Sequence, residues 1–225
     1  MINAIDVLMD NKEKENKYKK FEILEQEKID KNVYYYLENL LSKVNIEILG
    51  QYEGKLFDLM KRGKLEGWCW QTTETAALFM PDDVVIYRAN LKFAKYDTYY
   101  HSFIQFMYEE KDYIFDPCLC MINTADLYLK TFNTEIKGYT SAKEIKEYFL
   151  NYISAYPKKE NNIITQSDRF MRKFFENYIE DKQEITVHDK ENPYAPMYRN
   201  NSGYKDINIE NNKIKSLTVH YYMNA

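Results

Sequence analysis

Apolar residues recur at helical spacing through the first fifth of the chain. Tyr18, Phe21 and Leu24 open a stripe that Val33, Leu37, Leu40, Leu41 and Val44 continue. The pattern predicts helix from Lys12 to Val44, with Asp30 as a break or cap between two helices. Ile46 to Leu49 is a short apolar run, followed by turns at Gly50 and Gly54. One more helical turn is expected over Phe57 to Lys61, ended by Gly63. The stretch from Trp70 to Met80 reads as a buried helix stopped by Pro81. The period then changes to that of strands. Val84 to Leu91, Tyr99 to Tyr108 and Tyr113 to Asp116 predict an antiparallel meander whose second turn is the polar run Glu109 to Asp112. Ser141 with Glu144 forms a capping pattern ahead of the stripe Ile145, Tyr148, Phe149, Tyr152. Phe170, Phe174, Phe175 and Tyr178 predict a helix over 168–179, and Pro193 and Pro196 a loop. The tail from Tyr204 to Met223 reads as a hairpin turning at Asn211-Asn212.

These elements predict an α+β fold in one domain over 1–225. Residues 1–45 form a helical N-terminal extension, 46–135 a core, and 136–225 further helices and the hairpin. A chain of 225 residues, 45% hydrophobic and 16% aromatic, supports a packed core. The formal charge of −4 offers no basic field for nucleic acid, so none is expected as a partner. No run of about 18 apolar residues predicts a membrane span. The N-terminus lacks the basic start and apolar run of a signal peptide. Three cysteines are an odd number, and a reducing, cytoplasmic setting is expected. His188 and His220 fall in strand-like segments and are expected to titrate near the surface.

The candidate chemistry lies in the middle of the chain. Cys69 follows Gly67-Trp68 at the head of the Ala-rich helix, where the macrodipole and unpaired N–H groups favour a thiolate and an oxyanion. His101 stands on the second strand of the meander and Asp116 closes the third, ahead of Pro117. Thiol, imidazole and carboxylate are the parts of a nucleophile, a base and an orienting group. Their geometry depends on the hairpin. A turn centred between Tyr108 and Glu109 sets His101 opposite Asp116. A turn between Glu110 and Lys111, which polarity favours, offsets them by four residues, about 13 Å, too far for a hydrogen bond. Cys118 and Cys120 raise a different chemistry, since with Cys69 and His101 they could make a Cys3His set for zinc, but alternating strand residues packed beside the site are the preferred reading.

At these residues the chain resembles the transglutaminase-like branch of papain-like cysteine enzymes. The likeness rests on Gly-Trp-Cys-Trp, the Ala-rich helix, Val85-Ile86-Tyr87-Arg88, and Phe115-Asp116-Pro117, with the histidine 32 residues after the cysteine and the aspartate 15 further on. Bacteriocin-processing peptidases, with a similar His-strand-Asp-Pro arrangement, are a second such family. The resemblance runs from Gly67 to Cys118. It departs at Ser102-Phe103, where the family often has a small residue and then tryptophan, and at Gly63, where bacteriocin-processing peptidases carry an oxyanion glutamine. It implies a papain-like core in which a helix bearing the cysteine packs on an antiparallel sheet bearing His and Asp. It also implies that Cys69 is nucleophile, His101 base and Asp116 its orienter, with Trp68, Trp70 and Gln51 as candidate oxyanion or substrate contacts. No cofactor is expected. The implied activity is cleavage or transfer at an amide or acyl bond, on a peptide, a protein or a small acyl donor. The alternatives are a catalytically inactive binding module of the same family and a zinc-binding structural protein.

Overall fold

The computed structural model describes residues 2–3, 28–29, 31–92, 99–155, 164–166 and 200–223. The expected helix over 168–179, the loop at Pro193 and Pro196, His188 and most of the stretch from Lys12 to Asp30 lie outside the described residues.

The fold is α+β. Its elements in chain order are β1 (Ile2–Asn3), β2 (Lys28–Ile29), α1 (Lys31–Leu41), β3 (Val44–Ile48), β4 (Tyr52–Lys55), α2 (Leu56–Lys61), α3 (Cys69–Ala77), β5 (Val85–Leu91), β6 (Tyr99–Tyr108), β7 (Lys111–Asp116), β8 (Met121–Thr124), α4 (Ala125–Thr131), β9 (Glu135–Ser141), α5 (Ala142–Ala155), β10 (Ile164–Gln166), β11 (Asn200–Glu210) and β12 (Lys213–Met223). Among the described residues these strands make three sheets: the two-stranded pair β1-β2, whose Lys28–Ile29 is strand where helix was expected, and two five-stranded sheets, a first ordered β8-β7-β6-β5-β9 and a second ordered β10-β11-β12-β3-β4.

The first sheet is antiparallel throughout and is the expected meander, extended by β8 on one side and β9 on the other. In the second sheet, β12 pairs in parallel with β3, bringing the tail hairpin against strands more than 150 residues earlier in the chain. Val44 therefore belongs to a strand and not to the helical stripe; Ser42 and Lys43 turn the chain, and the alternating burial of Val44–Ile48 follows the two-residue period.

Both faces of the first sheet are covered. One face carries Ile86, Ile104, Phe106, Phe115 and Ile122, which join one continuous core with Leu37, Leu41, Ile46, Leu59, Phe149, Leu217, Val219 and Tyr221 from the helices and the second sheet. The other face carries Ala89, Leu91, Phe103 and Ile114, which pack on Tyr128 and Phe132 at and just beyond α4. Two local signals hold as expected. Glu144 Oε2 accepts from the Ser141 N–H at 2.9 Å while Ser141 Oγ accepts from the Glu144 N–H at 3.2 Å, closing the capping box of α5. Asn211 and Asn212 both take positive φ, 51° and 56°, at the turn of the tail hairpin. No helix among the described residues is long and apolar enough to cross a membrane.

Helix α3 lies between the two sheets and is buried almost all round, including Thr72, Thr73, Glu74 and Thr75. The threonine hydroxyls bond back into the helix, Thr72 to the Trp68 carbonyl at 2.8 Å and Thr73 to the Cys69 carbonyl at 2.8 Å. The tail hairpin satisfies the other two. The Tyr204 hydroxyl donates to Glu74 Oε1 at 2.8 Å, and the Tyr221 hydroxyl donates to Thr75 Oγ1 at 3.1 Å. The Tyr221 ring also stacks on Trp68, with centroids 5.1 Å apart. We expect Tyr221→Ala to cost about 3–5 kcal/mol, and Tyr221→Phe, which keeps the stacked ring, about 1 kcal/mol. Urea unfolding measures both; equal losses would show that the ring carries nothing beyond its hydroxyl.

Candidate active site

Cys69 is the first residue of α3, with Trp68 at the N-cap. Gly67 holds φ +82°, a left-handed conformation that favours glycine and turns the chain into the helix. The first-turn amides of a helix are not used by its own carbonyls, so Cys69 stands at the positive end of the dipole. One turn on, the Thr73 hydroxyl lies 2.8 Å from that of Ser102, the neighbour of His101 on β6. Ser102 Oγ also lies 3.1 Å from the Tyr87 carbonyl of β5, so the two hydroxyls share their protons among this carbonyl, that of Cys69 and each other. This buried contact clamps the start of α3 to the strand that carries the histidine. The Ser102-Phe103 departure noted in the sequence thus has a structural use: a hydroxyl docks the helix, and Phe103 fills the opposite face against Tyr128, centroids 5.0 Å apart.

The hairpin register falls between the two positions weighed from sequence. Tyr108 pairs with Lys111 and Ile104 with Phe115, so the turn is the two residues Glu109-Glu110. Both take positive φ, 46° and 62°. Glutamate is not favoured there, which is why polarity alone extended the turn over Lys111 and Asp112, residues that are in fact on β7. Continued along the strands, this register sets His101 and Asp116 on the same face, two residues out of register, a diagonal of about 7–8 Å that side chains can span. Phe103, opposite the diagonal, shares their face.

His101 Nε2 lies 2.8 Å from Asp116 Oδ2, and both residues have no exposure. The other carboxylate oxygen is held by the chain itself: Oδ1 accepts from the Cys118 N–H at 3.1 Å and the Leu119 N–H at 2.9 Å. The aspartate thus caps the turn that follows its own strand. Tyr128 of α4 donates its hydroxyl to Oδ2 at 2.7 Å.

The electrostatics of the histidine follow from its neighbours. Burial disfavours a charged imidazole. It is outweighed by the Asp116 carboxylate and by Cys69, which act as charges and as hydrogen-bond partners, so the pKa is pushed up to about 10. Cys118 is different. Burial pushes its thiol well up, and the charges of Cys69 and Asp116 add to this, against a hydrogen bond from the Gly67 backbone.

The structure therefore brings Cys69, His101 and Asp116 together. The remaining expected site residues lie as follows. Trp68 is buried under Tyr221. Trp70 is half-buried, with the Arg88 guanidinium 4.6 Å from its ring centroid. Gln51 is exposed in the turn from β3 to β4, where its backbone N–H donates to the Ile48 carbonyl, and its side chain makes no hydrogen bond to the trio. Cys118 and Cys120 are in the turn after β7, not on a strand as alternation suggested, and Cys120 takes φ +58° with its thiol on the Met60 carbonyl. Among the described residues no group of three or more His, Cys, Asp or Glu side chains is arranged to hold a metal ion. His220 pairs with Glu47 at 2.9 Å across the parallel strands of the second sheet. Tyr128 is the site residue that sequence reasoning missed. Its helix is short and its signals are only Asp126 in the first turn and Lys130 in the last.

The folded-state pKa of His101 lies above the unfolded value of 6.5, so its charge stabilises the fold fully below about pH 6.5. That contribution declines as pH rises towards about 10 and is lost beyond it. We expect the difference in urea midpoint between the unsubstituted chain and His101→Gln to shrink across this window. A difference that grew with pH would contradict the assignment.

Comparison with known proteins yields no match: no family model fits the chain, and neither a curated protein nor a solved structure matches it.

Proposed function

We propose that this chain is a thiol enzyme acting on amide or other acyl bonds. Cys69 is its nucleophile, His101 its proton carrier and Asp116 the group that orients the imidazole. The observation that carries this reading is the 2.8 Å bond between His101 and Asp116, two wholly buried groups, with Cys69 at a helix N-terminus beside the same ring. A buried imidazole and a helix N-terminus both stand beside this thiol, the kind of surroundings in which cysteine nucleophiles act. Of the three residues only Cys69 retains any exposure, 3%.

The chemistry follows from these positions. The Cys69 thiolate attacks the carbonyl carbon, and the first-turn amides of α3 stabilise the oxyanion. The C–N or other acyl bond breaks as the imidazolium gives its proton to the leaving group, and a thioester remains on Cys69. Water or an amine then loses a proton to the imidazole and takes the acyl group, restoring the thiolate and the imidazolium. The resemblance to transglutaminase-like enzymes supports an amide as the bond attacked, and a peptide, a protein or a small acyl donor as the substrate. In the same reading α3 packed on the β5-β6-β7 sheet is the papain-like core of that family.

Iodoacetamide labelling with peptide mapping tests the proposal. Cys69 is expected to react stoichiometrically near neutral pH, well ahead of Cys118 and Cys120. His101→Ala is expected to slow that reaction by about 10²-fold or more. Equal, slow alkylation of all three cysteines would overturn the enzyme reading and leave a non-catalytic binding module.

A further inference from the structure

Oδ2 of Asp116 receives two donors, the His101 ring at 2.8 Å and the Tyr128 hydroxyl at 2.7 Å. We propose that Tyr128 is a positioning residue of the site: by donating to the same oxygen that holds His101, it locks the carboxylate and sets how strongly that oxygen can grip the imidazole. The inference rests on the reading of Cys69, His101 and Asp116 as the working groups.

The geometry favours a dedicated contact over incidental packing. Tyr128 is wholly buried, so its hydroxyl has no water to turn to. Its ring is fixed on two sides, by Phe103 with centroids 5.0 Å apart and by Phe132 at 4.7 Å. Burial and the Asp116 charge push its pKa well up, so it remains a donor at any working pH. With the two amides on Oδ1, the carboxylate accepts four hydrogen bonds. Each donor spreads its charge and weakens its hold on the others. A hydroxyl on Oδ2 competes most directly with His101, because they share the atom.

This gives an effect whose sign separates positioning from plain structural support. The ionisable groups around His101 are Cys69 from α3, Asp116 from β7, Cys118 from the turn after β7 and, through Asp116, Tyr128 from α4; β5 presents Ala89 opposite the histidine. Removing only the Tyr128 hydroxyl leaves Oδ2 to the imidazole alone. The imidazole then binds its proton more tightly. Loss of mere structural support would let the carboxylate move and have the opposite effect.

The experiment is an NMR titration of His101 in the full-length chain carrying Cys69→Ala, which removes the thiolate's contribution and brings the step to lower pH. Adding Tyr128→Phe is expected to raise the proton affinity of His101 by roughly threefold to tenfold. An unchanged or lower affinity overturns the proposal. A second measurement needs no substitution at Tyr128: its hydroxyl proton is expected as a downfield, slowly exchanging resonance with cross-relaxation to the Phe103 or Phe132 ring. A rapidly exchanging hydroxyl also overturns it. Neither readout uses Cys69 chemistry, so failure of selective Cys69 alkylation in the unsubstituted chain would sink the enzyme reading separately.

Discussion

The Asp116 carboxyl group has no access to solvent, and much of the site is arranged around satisfying it. An isolated buried carboxylate would cost many kcal/mol. Here the cost is met from four directions. Two backbone amides of its own turn hold Oδ1, and an imidazole from β6 and a phenol from α4 share Oδ2. The same bonds fix the His101 ring, and the charge on that ring draws Cys69 into the group. A strand, a neighbouring strand, a turn and two helices thus converge on one side chain.

A second constraint acts on the helix that carries the thiol. Helix α3 is short and buries polar side chains on nearly every side, so it cannot be held by an apolar stripe alone. Thr73 ties it to Ser102 on the first sheet; Glu74, Thr75 and Trp68 tie it to Tyr204 and Tyr221 of the second. The tail hairpin is therefore part of what places Cys69, although it follows the cysteine by more than 130 residues. Parallel pairing of β12 with β3 brings it there.

Some of this was legible in the residues and some was not. Local signals held wherever local chemistry decides the outcome: the Ser141-Glu144 box, the Asn211-Asn212 turn, and the run of β-formers that opens the strand Val85–Leu91. They misled where a longer-range demand prevailed. Val44 continued a helical stripe by spacing, yet its strand pairs with Leu217. Glu109 and Glu110 took left-handed turn conformations that their own preference resists. The two-residue turn keeps Ile104, Phe106, Tyr113 and Phe115 on the core face, and burial of that face outweighs the local strain.

The sequence by itself determined the types and order of the groups, the α+β class and, for any hairpin loop of even length, the shared face of His101 and Asp116. These follow from composition and from the period of two in paired strands. Only the tertiary structure decided that the two side chains meet, because hairpin register is set by packing across the sheet. It alone decided that Cys69 joins them, because a helix's angle of approach depends on contacts from both sheets. It alone brought in Tyr128, because a buried carboxylate recruits whatever donor the fold presents, at no fixed distance along the chain.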